Sequence, residues 1–220
     1  FDLKLGEVQA LVGQNGAGKS TFIEIIAGSI RPDSGRIVVG GRELSHLDPA
    51  LSIELGIQTV HQENQLVEEL SVAENIYLYN LPTSRFGFAC LSTCSRAADG
   101  LLQELGINID SSLKLIELTF VEKKLISIAK AFSRHANILI LDEPTAGMTV
   151  AETHKTAELI KEISQTTGIS ILVIEHDISF VREIASRITV MYKGAIFREG
   201  NYEEIQSDDA VREIYFGRQG

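Results

Sequence analysis

The sequence predicts an α/β fold built on a mostly parallel sheet. Short β-rich runs alternate with longer segments of helical spacing. Two of the runs, residues 137–141 and 169–174, each hold four successive apolar residues, Ile138–Leu141 and Ile171–Ile174, so they read as strands buried on both faces. The chain of 220 residues, 44% hydrophobic and 23% charged, suits one large domain with a sizeable core.

The elements follow in order. Residues 7–12 form a short apolar strand ending at Gly13, and Phe22, Ile23, Ile25 and Ile26 then fall at helical spacing within 20–27. Residues 36–39 read as a strand, Gly40-Gly41 as a hairpin turn, and 57–61 as another short strand. From Ser71 to about Arg134 the pattern is helical. Ser71-Val72-Ala73-Glu74 has the capping-box form, and 97–105 and 122–132 carry apolar residues at helical spacing. Residues 80–96, rich in Ser, Thr and Pro, read as a loop holding Cys90 and Cys94 as free thiols. This stretch is read as a helical sub-domain, residues 64–134, inserted into a core of residues 1–63 and 135–220. The second half alternates again: a helix over 151–166, a helix over 178–185, and a hairpin of 188–192 and 195–198 about Lys193-Gly194.

Composition excludes several classes. The formal net charge of −10 argues against a nucleic-acid surface, which needs clustered Lys and Arg. No apolar run approaches the ~20 residues that span a bilayer, and residues 1–7 lack the basic-then-apolar form of a signal peptide. Two cysteines are too few for a disulfide framework, so a reducing compartment is expected.

The chemistry is concentrated in two places. Residues 13–20 read Gly-Gln-Asn-Gly-Ala-Gly-Lys-Ser, between an apolar strand and a helix. Gly13, Gly16 and Gly18 let the backbone curl so that N–H groups, including those of Asn15, Ala17 and Thr21, converge on a phosphate chain. Lys19 supplies a flexible cation and Ser20 a hydroxyl for Mg²⁺. The second place is Ile138-Leu139-Ile140-Leu141-Asp142-Glu143, a buried strand delivering two carboxylates to the carboxyl edge of the sheet. Asp142 suits a divalent cation, and Glu143 suits a water-activating base.

With both motifs in place, the whole chain resembles the ATP-binding subunits of ABC transporters. Gly13–Ser20 looks like Walker A, and residues 138–143 look like Walker B with its adjoining catalytic Glu. The resemblance implies a P-loop NTPase (RecA-like) core with a small antiparallel β portion, ATP and Mg²⁺ as cofactors, and ATP hydrolysis as the activity. Gln62, in Val60-His61-Gln62-Glu63, matches the Q-loop residue that meets Mg²⁺ and the attacking water. His176, in Ile174-Glu175-His176-Asp177, matches the switch histidine that contacts the γ-phosphate. The implied partners are a second ATPase subunit, transmembrane permease subunits and, indirectly, a solute-binding protein. The implied place is the cytoplasmic face of the inner membrane, held peripherally. Leu66, Val67 and Leu70 are candidate permease contacts, with core packing as the equal alternative.

Sub-family features point two ways. Val60-His61-Gln62-Glu63 and Leu70-Ser71-Val72-Ala73-Glu74-Asn75-Ile76 are similar to monosaccharide importers, whereas Ala146-Gly147-Met148-Thr149 and Ile174-Glu175-His176-Asp177 are similar to urea and branched-chain amino-acid importers. The solute is thus a sugar, an amino acid or urea.

Three departures stand out. The signature LSGGQ is replaced by Leu118-Thr119-Phe120-Val121-Glu122. Thr119 keeps the hydroxyl that would contact the ATP of the opposite subunit, but Phe120 and Val121 add bulk and Glu122 brings an acid toward an anion. That half-site is expected to be weakened. Met148-Thr149 stands where many relatives carry the D-loop Asp, and only twelve residues precede Gly13, too few for the usual first strand and its adenine-stacking aromatic. Two further readings stay open: an ATP-binding regulatory subunit with little turnover, and a soluble, non-transport ABC-type ATPase. Lys123-Lys124 reads as a solvated helix face, Asp208-Asp209 as a solvated turn, and His46, His61, His135 and His154 as ordinary histidines.

Overall fold

The computed structural model describes residues 1–61, 66–78 and 91–213. Gln62, Cys90 and the chain end from 214 lie outside the described residues.

The chain runs β1 (Val8–Val12), α1 (Lys19–Ile26), β2 (Ile37–Val39), β3 (Arg42–Leu44), α2 (Pro49–Glu54), β4 (Ile57–Val60), α3 (Val72–Tyr77), α4 (Leu91–Glu104), α5 (Phe120–Phe132), β5 (Ile138–Asp142), α6 (Val150–Thr167), β6 (Ser170–Ile174), α7 (Ile178–Ile184), β7 (Arg187–Tyr192), β8 (Ala195–Gly200), α8 (Tyr202–Ser207) and α9 (Asp209–Val211). The main sheet has the order β4-β5-β6-β1-β7-β8. Its first five strands pair in parallel, and β8 is antiparallel to β7. The small antiparallel portion is the β2–β3 hairpin, whose Gly40 and Gly41 both take positive φ as a tight two-residue turn requires.

Both apolar runs are central strands. On β5, Leu139 and Leu141 face one core and Ile140 the other. On β6, Ile171 and Val173 share the first face, and Leu172 and Ile174 the second. The two-residue period thus places apolar side chains on both sides, which is why the runs show no polar alternation. The first face also holds Ile76, Leu102, Leu115 and Ile126, so the helices between β4 and β5 share a continuous core with the sheet.

The capping box at Ser71 forms: Glu74 N–H donates to Ser71 Oγ at 3.2 Å, and Ser71 N–H to Glu74 Oε2 at 2.8 Å. Buried Asn75 ties down the preceding loop by accepting from Val67 N–H and donating to the carbonyls of Val67 and Ser71. Leu66 packs on the core, while Val67 is exposed.

Three readings change. The part of the expected loop that is described, residues 91–96, belongs to α4. Cys94 is buried on that helix and its thiol donates to Ala73 O at 3.2 Å; burial pushes its pKa up. Packing against α3 thus fixes a helical start that the local Ser and Thr content disfavours. Asp208 is an N-cap rather than a solvated turn, accepting from Ala210 and Val211 N–H and pairing with Arg198 at 2.8 Å. His154 joins α6 to α7 through Glu183 at 2.8 Å, which raises its pKa.

Candidate functional site

The sheet order reverses at β1, which lies between β6 and β7. In an open α/β sheet, the crevice beyond the strand carboxyl ends at this point is the natural ligand site. Residues 13–18 leave β1 there and lead into α1.

The loop is shaped by contact with the β7–β8 turn. Gly194 N–H donates to Ala17 O at 2.9 Å. A Cβ on Gly13 would stand 2.5 Å from Met191 O, so no larger residue fits. Gly18, with φ 101°, is the N-cap of α1, a conformation that side chains strongly resist. Ala17 is buried and its N–H donates to Gln14 O, whereas Asn15, Gly16, Ser20 and Thr21 are exposed. Lys19 Nζ folds back to Gly13 O at 2.6 Å and Gln14 O at 3.2 Å, which draws the loop into a ring.

The first turn of α1 carries neither a side-chain cap nor an acid. The opening N–H groups of any helix lack intrahelical partners, and Gly18 at the N-cap has no side chain to answer them. The helix end therefore presents donors and partial positive charge outward, a good fit to a phosphate chain.

Asp142 ends β5, with β6 between it and β1. Burial pushes its pKa up, as does neighbouring Glu143, while His61, Lys124 and Lys19 oppose the rise. Lys19 is pushed down by its own burial and held up by Glu143 and Asp142. The P-loop cation and the strand-end carboxylates therefore share one electrostatic environment. Glu143 has φ 46°, a strained value for a side-chain-bearing residue. Its backbone is held by its N–H to Ile174 O at 2.9 Å and by Ala146 N–H to its carbonyl at 3.2 Å. The exposed ring of His176 follows β6, with Nδ1 3.7 Å from Glu143 Oε1 and 3.6 Å from Glu175 Oε2. Among the described residues no three His, Cys, Asp or Glu side chains form a metal cage. Ser20 and Asp142 offer one hydroxyl and one carboxylate, which suits Mg²⁺ whose other ligands are phosphate and water.

The structure thus brings Gly13, Gly16, Gly18, Lys19 and Ser20 to one crevice edge, with Asp142, Glu143 and His176 beside them. Thr119 is engaged elsewhere. It is the N-cap of α5, its hydroxyl donates to Glu122 Oε2 at 2.8 Å, and Glu122 N–H donates back to Thr119 Oγ1 at 3.3 Å.

Two residues were not foreseen. Lys124 is only 3% exposed rather than on a solvated face. It reaches His61 O at 3.5 Å and lies 5.8 Å from the Phe120 ring centroid. Burial lowers its pKa against the pull of Asp142 and Glu175. Its signal was a cation in register with Ile128 and Ala131 on the buried side of α5. Glu175 is fully buried, and its signal was an acid directly after a buried strand, as with Glu143.

Comparison with known proteins adds the relationship. A family model described as ABC transporter matches residues 1–146. The ribose import ATP-binding protein RbsA 1 of Rhizobium meliloti is 39% identical over 207 residues, covering 94% of this chain and 41% of that protein. The putative ribose/galactose/methyl galactoside import ATP-binding protein 2 of Burkholderia cenocepacia is 40% identical over 195 residues, covering 88% of this chain and 38% of that protein. The chain spans about two fifths of the length of the curated relatives it matches. Among solved structures, the ADP conformation of an ATP-binding cassette of an ABC transporter superposes with a TM-score of 0.86 at 28% identity, over 99% of this chain and 91% of that one. A nucleotide-free cassette superposes with a TM-score of 0.84 at 27% identity, with the same coverage.

Proposed function

The chain belongs to the ABC transporter family, and from that premise we propose that it binds MgATP in the Gly13–Ser20 loop and hydrolyses it to drive import of a sugar. The uncapped N-terminus of α1, with Lys19 folded onto the Gly13 and Gln14 carbonyls and within the electrostatic reach of Glu143 and Asp142, carries this reading. The sugar is inferred from the relatives, which are ribose and galactose import ATP-binding proteins.

Each residue has a role. The N–H groups of residues 15, 16 and 18–21 and the Lys19 ammonium hold the phosphates, while Ala17, whose N–H is bonded to Gln14 O, shapes the loop. Ser20 and Asp142 would hold Mg²⁺, joined by Gln62 as its resemblance implies. A metal held there would neutralise charge on the phosphate oxygens. Glu143 takes the proton of the attacking water, and His176 contacts the γ-phosphate while restraining Glu143. Positioning and electrostatics supply most of the rate, as is general for phosphoryl transfer.

Residues 1–63 and 135–220 act as the ATPase core, and 64–134 as the helical sub-domain that meets a permease. The working unit is a pair of cassettes closing around ATP at the cytoplasmic membrane face. No helix among the described residues is long and apolar enough to cross a membrane, and the transmembrane passage in this reading belongs to permease subunits. The signature segment contributes weakly to the opposite site, because Thr119 and Glu122 satisfy each other and the helix end.

Binding of a fluorescent ATP analogue by wild type and Lys19→Ala tests the reading. A ten- to hundredfold loss of affinity, on the order expected for a charge-assisted contact of about 1.5–3 kcal/mol, is the predicted result. Equal affinities contradict it.

A further inference from the structure

Glu143 and His176 sit on separate loops, after β5 and β6. A reaction needing both requires the loops to keep a fixed register. One side chain bridges them. Glu175 Oε1 accepts from Thr145 N–H at 2.9 Å and from the Thr145 hydroxyl in a short contact. Glu175 Oε2 accepts from His176 N–H at 2.9 Å and from Asp177 N–H at 3.3 Å. Four donors thus meet two oxygens, and the group acts there only as an acceptor, the chemistry of a carboxylate.

The bridge is enclosed. The Glu175 side chain has no exposed surface, and Thr145 is also buried. A buried anion is costly unless it is bonded and charge-compensated. The bonds are these four, and Lys124 of α5 supplies the opposite charge from within the core. An apolar residue here would leave these four donors without their acceptor, so the register of the two loops depends on this carboxylate.

We propose that Glu175 is a positioning residue, locking the Glu143-Pro144-Thr145 turn to the His176 loop so that base and histidine keep one geometry during turnover. This rests on the assignment of Glu143 and His176 under the proposed function. The strained backbone of Glu143 fits the role, because its N–H is tied to Ile174, the residue before Glu175. The bridge therefore closes a loop of bonds: Glu143 to β6, and β6 through Glu175 back to Thr145.

The test is steady-state MgATP turnover by the full-length protein, with KM and kcat separated and folding followed by thermal melting. Glu175→Gln replaces an acceptor with a donor toward N–H groups, and Thr145→Val deletes the hydroxyl at near-constant volume. A geometric fault of about 1 Å costs roughly a hundredfold in rate, so kcat is expected to fall roughly ten- to hundredfold in Glu175→Gln and about tenfold in Thr145→Val. KM for ATP is expected to stay within about threefold, and Thr145→Ser to recover most of the rate. If Glu175→Gln melts below the assay temperature, the Thr145 pair decides the question. Wild-type kcat in Thr145→Val, or a rise in KM with unchanged kcat, overturns the proposal. A parallel Glu143→Gln arm separates the two layers. Normal turnover there overturns the functional assignment itself, whereas abolished turnover there with normal turnover in Thr145→Val overturns only the bridge.

Discussion

Two helices of this molecule begin in opposite ways. α1 starts at Gly18 with no side-chain cap and no acid in its first turn. α5 starts at Thr119 with a full capping box, closed by Glu122. The Glu122 carboxylate accepts from Thr119 N–H at 2.7 Å and from its hydroxyl at 2.8 Å. The same helix-end charge is therefore left available in one case and neutralised internally in the other. An uncapped end costs stability on its own, and α1 tolerates it because residues 13–18 are braced by Met191 and Gly194. An anion then supplies the missing acceptor. α5 has its acceptor already, so a phosphate arriving there must compete with Glu122. The contrast separates a helix end open to an anion from one that is already satisfied.

The largest effect expected concerns the chemistry beside the open helix. Glu143→Gln should lower turnover about 10²- to 10⁴-fold, the usual contribution of a general base, while ATP still binds. Phosphate release after rapid mixing with ATP measures it, and unchanged release contradicts the assignment. Next, Thr119→Ala removes a cap from α5 and should cost about 1 kcal/mol of stability, read as a lower denaturant midpoint. A midpoint equal to wild type would show that the capping box contributes nothing. The smallest effect sharpens the contrast. Glu122→Gln, made in the Glu143→Gln background, removes the negative charge at the α5 terminus. The helix-end charge term is about 0.3–1 kcal/mol, so ATP-dependent pairing of cassettes should strengthen roughly two- to fivefold. Weaker pairing would mean that Glu122 aids the opposite site.

Much of this was legible in the sequence because the physics is local. The runs at 137–141 and 169–174 read as doubly buried strands because Ile138–Leu141 and Ile171–Ile174 are unbroken by a polar residue. Gly13 and Gly18 marked the tight loop, and Lys193-Gly194 the hairpin that braces it. Ser71 and Glu74 announced the start of α3. What stayed hidden depended on tertiary surroundings. Lys124 reads as solvated because charge usually is, and its burial is offset by tertiary neighbours, the Asp142 and Glu175 carboxylates among them. The start of α4 at Leu91 was concealed by poor helix formers whose cost is met by packing of Cys94 against α3. Glu175 was visible as a residue but not as a bridge, because its partner Thr145 lies 30 positions away.

The central claim is that the uncapped α1 terminus is this chain's own phosphate site and that the self-capped α5 terminus is not. Titration of the 220-residue chain with MgATP by calorimetry tests it most directly, comparing wild type, Lys19→Ala and Glu122→Ala. The account predicts a ten- to hundredfold weaker Kd in Lys19→Ala, from the loss of a charge-assisted contact of about 1.5–3 kcal/mol, and an unchanged Kd in Glu122→Ala. Tight binding that survives Lys19→Ala, or a comparable loss in Glu122→Ala, would contradict it.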